Sequence, residues 1–271
     1  MDKQELIEKI IAKKEFSQLP KKDVEMAFGK FDEDKYGDEE KVKLTRELLH
    51  KVFGVFTSRK LLSPKEKDVE WILRKHVSTR ERLPYYGELY ERILNLMSVP
   101  RPTTLPAPAP SITIIDLGAG INGFSYEFLS ASVPPTHPKL NYVAIEATGQ
   151  LVDLMNDYFK REKLSGKAIH MSLFDLEKVK KIIKQEKGKK IVFLFKTLDS
   201  LEMVERDYSK KLLKEITPLV ENVVVSFAVK SIGKRERFRA NRKWLMDFVN
   251  EEFKVLDDFE IGGERYIVFS K

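Results

Sequence analysis

Over roughly the first 98 residues, apolar side chains recur at helical spacing, first as Leu6, Ile7, Ile10 and Ile11, then as Val42, Leu44, Leu48, Leu49, Val52 and Phe53. β-Branched alternation is almost absent there, so the pattern predicts helices. Turn formers break it at Leu19-Pro20, at Tyr36-Gly37-Asp38 and at Ser63-Pro64. At the last break a serine N-cap with proline in the first helical position predicts a helix from about Pro64 to Lys75. From Val99 to Pro110 the chain reads VPRPTTLPAPAP. Five prolines in twelve residues sustain neither a helix interior nor a sheet ladder, which predicts a semi-rigid linker.

Beyond the linker the period changes. Short β-branched runs at Ile112 to Ile115, Tyr142 to Ile145, Ile191 to Phe195 and Val223 to Ser226 alternate with helix-like stretches, the signature of a mainly parallel α/β sheet. The segments Phe253 to Glu260 and Arg265 to Phe269 are joined only by Ile261-Gly262-Gly263-Glu264, too short for a crossover helix, which predicts an antiparallel hairpin. The organisation expected is an all-α region over 1–98, a linker over 99–110 and an α/β domain over 111–271. A parallel sheet closed by such a hairpin resembles the Rossmann-like fold of S-adenosylmethionine-dependent methyltransferases.

Composition narrows the chemistry. The 271 residues are 42% hydrophobic and 34% charged, which excludes a chain disordered throughout. With no cysteine, disulfides, thiolate metal sites and cysteine nucleophiles are all excluded. The four histidines, His50, His76, His137 and His170, lack metal-site spacing, so no metal is expected. No apolar run approaches the roughly 18 residues that span a bilayer, and MDKQELIEKI alternates charge with apolar residues as no signal peptide does; a cytoplasmic protein with no membrane partner is expected.

The strand-like Ile112 to Leu117 leads into Gly118-Ala119-Gly120-Ile121-Asn122-Gly123, a G-x-G-x-x-G loop in strand-to-helix context. Glycines there allow positive φ and close approach to a ligand, with free N–H groups expected at the next helix's N-terminus. Asp116 places a carboxylate where a pyrophosphate would be repelled and an amino-acid ammonium attracted, favouring S-adenosylmethionine over a dinucleotide. Glu146, followed by Ala147, falls at the end of the next strand, where it can accept from ribose hydroxyls. Asp175, beside Leu176, falls where a third strand could offer a carboxylate to an adenine amine, or serves as the N-cap of the helix beginning near Leu176.

Two further stretches, and a third after the fifth strand, carry a family likeness. Residues His76-Val77-Ser78-Thr79-Arg80-Glu81-Arg82-Leu83 resemble the H-x-S-T-R-E-R-L segment of the aminoglycoside-resistance methyltransferases that modify a guanine N7 of 16S ribosomal RNA. Leu194-Phe195-Lys196-Thr197-Leu198-Asp199-Ser200-Leu201-Glu202 is similar to that family's L-L-K-T-L-x-x-L-E, and Val225-Ser226-Phe227 with Lys230 to Arg235 to its V-S-F-P-T-R-S-L-G-G-R. These matches run in order from about residue 70 to the C-terminus. The resemblance implies a helical N-terminal domain that docks on the ribosomal subunit and a Rossmann-like domain that holds S-adenosylmethionine. It implies that Arg80 or Arg82 reaches the methionine carboxylate, that Gly118, Ala119 and Gly120 line the cofactor, that Glu146 holds the ribose and Asp175 the adenine end. Lys196 and Leu198 would border the target base, Lys196 also touching the cofactor; a solvated lysine at a strand end is the plainer account of Lys196.

Guanine N7 already offers an in-plane lone pair, so methyl transfer needs alignment and no obligatory base, which suits a chain without a histidine or cysteine constellation. From Val229 to Lys243 seven cations (Lys230, Lys234, Arg235, Arg237, Arg239, Arg242, Lys243) stand against Glu236, so most of the chain's +7 is local. Lys230, Lys234, Arg235, Arg237 and Arg239 are the expected RNA contacts, unless the stretch is a solvated helix. The expected partner is ribosomal RNA or the small subunit, and the expected state a monomer. A methyltransferase of transfer RNA or of a small molecule, and a catalytically silent ribosome-assembly factor, are the alternatives.

Overall fold

The computed structural model describes residues 2–54, 68–96, 111–133, 139–229 and 242–271. The linker over 99–110, the Ser63-Pro64 cap and the expected RNA contacts from Lys230 to Arg239 therefore lie outside the described residues.

The α/β half forms one seven-stranded sheet in the order β3-β2-β1-β4-β5-β7-β6. Its strands are β1 (Ile112–Leu117), β2 (Leu140–Glu146), β3 (Gly166–His170), β4 (Lys189–Phe195), β5 (Asn222–Ala228), β6 (Lys254–Ile261) and β7 (Glu264–Ser270). The first five are parallel; β7 runs antiparallel to both β5 and β6. The hairpin turn is tighter than the four-residue link expected, since β6 extends to Ile261 and β7 starts at Glu264. Gly262 and Gly263 both have positive φ, 61° and 82°, the two-residue turn whose twist matches the flanking strands.

Strand periodicity divides the interior into two layers. Ile115, Leu117, Val143, Ile145, Val192 and Leu194 face one layer, and Ile112, Ile114, Tyr142, Ala144, Ile191 and Phe193 face the other. The first is covered by α1 (Lys3–Ile11), α2 (Lys21–Gly29) and α3 (Asp38–Val52) together with α9 (Leu176–Gln185), α10 (Leu198–Val204), α11 (Tyr208–Ile216) and α12 (Lys243–Glu252). The second is covered by α4 (Val69–Lys75), α6 (Tyr86–Asn95), α7 (Tyr126–Ser132) and α8 (Gly149–Arg161). The short α5 (Val77–Arg82) joins α4 to α6.

The helices of the first 98 residues thus bury their apolar stripes on the sheet's own core. Leu6, Ile7 and Ile10 of α1, Val24 and Phe28 of α2, and Leu48, Leu49 and Val52 of α3 share one cluster with the strands and with Leu198 and Leu201 of α10. Ile72, Leu73, Tyr86, Leu89, Tyr90 and Ile93 share the other with β1 and β4. Local signals set the helix ends: Asp2 and Glu5 form a capping box at α1, and Pro20 and Gly37 immediately precede α2 and α3. His76, in an extended conformation, separates α4 from α5. Phe248 is buried and Trp244 partly so against the core. In α9, Val179 and Ile183 face inward and the lysines outward.

Candidate active site

β1 pairs with β2 on one side and β4 on the other, so chain connections leave it in opposite directions and a crevice opens beyond the strands' carboxyl ends. A cleft lies there, lined among others by Asp116, Gly118, Gly120, Glu146 and Lys196. The same parity that points Ile112 and Ile114 into the second layer carries Asp116 to that side. Its Oδ2 accepts from Tyr142 Oη at 2.5 Å and Asn122 Nδ2 at 2.8 Å, while buried Oδ1 has no hydrogen-bond partner in the protein. Burial pushes this carboxyl up to about 6 in spite of both bonds.

The glycine loop is pinned under the cleft. Gly118 and Gly120 have φ of 71° and 56°, and a Cβ on them would stand 2.7 Å from Thr197 Cγ2 and 2.9 Å from His76 Nε2. Gly118 and Ala119 donate their N–H groups to Ile145 O, and Gly120 donates to Glu146 Oε2 at 2.8 Å. Asn122 and Phe124 donate to loop carbonyls, in a 3₁₀ turn that intervenes before α7. The N–H groups of Gly118, Ala119, Gly120, Asn122 and Phe124 are thus spent within the protein. A cleft floor with two carboxyl groups suits a cationic ligand better than a pyrophosphate. Glu146 also accepts from Thr148 N at 2.8 Å, which fixes its orientation.

Across the floor lies a buried charge network. Arg82, 3% exposed, donates from Nε to both oxygens of Glu264 at 3.1 and 3.3 Å, from Nη1 to Asn122 Oδ1 at 3.1 Å and from Nη2 to Ser78 Oγ at 2.5 Å. Its guanidinium stacks over Phe195, 4.9 Å from the ring centre. Lys196 Nζ reaches Glu81 at 2.5 Å and Glu264 at 3.2 Å. Burial alone would raise the Glu264 carboxyl, but Arg82 and then Lys196 outweigh it and hold it below its ordinary value. Lys196 itself has φ 57°, a rare conformation for a residue with a Cβ, held by a bond from its N–H to Ser226 O at 3.1 Å. His76 is 4% exposed; burial, then the charges of Arg82 and Lys196, push it down to about 3, so it is a neutral imidazole at pH 7.

The opposite wall comes from the N-terminal helices. Asp23, Val52 and Phe53 line it with Ala147, Thr148, Leu173 and Phe174. Lys22 pairs with Asp175 at 2.9 Å, and Gly149 N donates to Gln18 O at 3.4 Å, tying α2 and the segment before it to the sheet's far end.

Of the residues singled out in the sequence, Arg82, Asp116, Gly118, Ala119, Gly120, Glu146, Ala147 and Lys196 come together in this lining. Four do not. Arg80, two positions from Arg82 on a six-residue helix, is exposed. Leu198 and Leu176 are buried in the core cluster shared with the N-terminal helices. Asp175 precedes α9 and makes no side-chain cap bond; its carboxylate binds Lys22 and Lys178, which hold it below the ordinary range. Asp23, His76, Asn122, Thr148, Thr197 and Phe195 line the cleft without having been assigned roles. A faint signal existed for Asp23, a carboxylate on the α2 face that also carries Ala27. None existed for Glu264, whose place follows from its register opposite Ala228. Among the described residues there is no group of three or more His, Asp or Glu that could hold a metal, and no helix long and apolar enough to cross a membrane.

A parallel sheet ending in a reversed β7, with an acid before the glycine loop and another ending β2, defines a Rossmann-like methyltransferase fold. The profile of the family described as "Ribosomal RNA methyltransferase (FmrO)" matches residues 65–265, and the chain belongs to that family. It is 27% identical over 250 residues to a 16S rRNA (guanine(1405)-N(7))-methyltransferase of Micromonospora rosea, covering 85% of this chain and 82% of that one. Over 243 residues it is 25% identical to the enzyme of the same name from Proteus mirabilis, covering 84% and 75%. In fold it is similar to the crystal structure of the 16S rRNA methyltransferase RmtF in complex with S-adenosyl-L-homocysteine, with a TM-score of 0.75, 22% identity and full coverage of both chains.

Proposed function

We propose that the chain transfers a methyl group from S-adenosylmethionine to guanine N7 of 16S ribosomal RNA, acting as a cytoplasmic monomer on the small ribosomal subunit. The observation that carries the reading is the grouping of Arg82, Asp116 and Glu146 around the glycine loop, in a cleft whose buried Asp116 Oδ1 has no protein partner. These residues suit a zwitterionic amino acid joined to a nucleoside: Arg82 toward the carboxylate, Asp116 toward the ammonium, Glu146 toward the ribose. Bound there, the sulfonium supplies an activated methyl group. Gly118, Ala119 and Gly120 give close backbone approach, and Thr197 and Phe195 hold the floor beneath. Orientation is the residues' main contribution, since the accepting nitrogen carries its own lone pair and no side chain need remove a proton. The neutral His76 and the ion-paired Arg82 and Lys196 are consistent with that absence of a base.

In this reading residues 1–98 dock on the subunit, 99–110 link, and 111–271 hold the donor. Lys230, Lys234, Arg235, Arg237 and Arg239 follow β5, whose carboxyl end adjoins the cleft, and would neutralise RNA phosphates at its mouth. Lys196 would border the guanine, with Leu198 packed behind it. Asp175 and Leu176 would bound the adenine end from the turn into α9.

Calorimetry with S-adenosylmethionine and with NAD tests the donor: binding of the former only is expected, and binding of NAD alone would end the proposal. Labelled donor, small subunits from a strain lacking the modification and mass-spectrometric mapping of methylated nucleotides test the rest. Label at a guanine N7 is expected; label confined to transfer RNA, or none with RNA affinity intact, would refute it.

A further inference from the structure

We infer that Asp23, supplied by α2, is a specificity-determining residue of the donor site, its free carboxyl oxygen accepting the exocyclic amine of the donor's purine. The inference rests on the cleft being the donor site. Asp23 is 3% exposed, lines the cleft, and Oδ2 has no hydrogen-bond partner in the protein, while its carboxyl also hydrogen-bonds Ser172. Its neighbours on α2, Val24, Ala27 and Phe28, are fully buried apolar residues, so packing alone would be served by another of them. A buried oxygen without a donor is costly, and the charges nearest it make matters worse, since Glu146 and Asp175 are both acidic. The adjacent cation does not help: Lys22 is committed to Asp175. What complements such a site is a neutral N–H donor on a flat ring. Ala147, Leu151, Leu173 and Phe174 supply apolar walls for that ring beside Asp23, one strand beyond Glu146. With Asp175 held by Lys22 and Lys178, Asp23 is the carboxyl left to read the amine, and the N-terminal helices become part of the donor site.

The test is calorimetry of the full-length protein with S-adenosylhomocysteine and with S-inosylhomocysteine, which differs in carrying an oxygen in place of the amine. At a pH above about 8, where the Asp23 carboxyl is ionised, wild type should prefer the adenosyl compound roughly tenfold or more, the worth of a charge-assisted bond. Asp23→Asn, which presents an amide N–H as well as an oxygen, should bring the ratio near one; circular dichroism confirms that it folds. Equal affinity of the wild type for the two compounds, or an unchanged ratio in Asp23→Asn, would overturn the inference and leave the donor site standing. Failure of the wild type to bind either compound would instead remove the donor-site reading, and this inference with it.

Discussion

Replacing Glu264 by Gln tests the network that shapes the cleft floor. Arg82 and Glu264 are each about 3% exposed, 3.1 Å apart, and Lys196 Nζ lies 3.2 Å from the same carboxylate. Gln keeps the volume but removes the one anion that Arg82 and Lys196 share, leaving Arg82 with the neutral Ser78 and Asn122. Stranding one charge of a buried pair costs about 3–5 kcal/mol, and two cations affected here place the expected loss toward the upper end. Urea unfolding of Glu264→Gln, Arg82→Met and the double variant measures it. Because removing both charges also removes the stranded one, the double variant should lose less than the sum of the singles by about 2 kcal/mol or more. If each single variant loses under about 1 kcal/mol, as exposed pairs do, or if the losses simply add, the reasoning is refuted.

Other expectations follow from the same geometry. Gly118→Ala combines a left-handed backbone with a Cβ 2.7 Å from Thr197 Cγ2, so it should cost about 1–2 kcal/mol or more in thermal unfolding and weaken S-adenosylhomocysteine binding measured by calorimetry. Burial, with Glu146 and Asp175 nearby, pushes the Asp23 carboxyl up from 3.8 to about 7, so the folded state holds a proton that the unfolded chain has released. Stability should therefore fall as pH rises from about 4 to about 7, by at most about 4 kcal/mol from this group, and urea midpoints of Asp23→Asn across that range should show a flatter slope. Exposed Arg80→Ala should leave S-adenosylhomocysteine affinity within about twofold, whereas buried Arg82→Met should lower it tenfold or more, consistent with lost charge-assisted bonds; equal effects would contradict the placement of these residues. Charge reversal at Arg235 and Arg237 should abolish ribosomal RNA binding in a filter assay and spare donor affinity; retained RNA binding would discount the basic stretch.

Where chemistry follows from local order along the chain, the sequence alone determined the outcome. Strand runs, the hairpin, the helix breaks at Pro20 and Gly37, and the Asp116-to-Gly120 loop each arise from the periodicity, φ freedom and turn chemistry of adjacent residues. The same holds for Glu146 at the end of β2, because a parallel sheet brings consecutive strand ends to one crevice. Tertiary structure decided what depends on residues far apart in sequence. Glu264 meets Arg82 across 182 positions only through the pairing of β7 with β5, and Lys22 meets Asp175 across 153 only because α2 packs on the sheet's end. Arg80 and Arg82 share one motif, yet a short helix turns one outward and buries the other. Leu198 and Asp175 stand beside strand ends, yet the core and a lysine pair take their side chains. Burial and long-range charge are properties of the packed molecule, since a carboxyl at about 7 on α2 exists only once a second layer has closed over it.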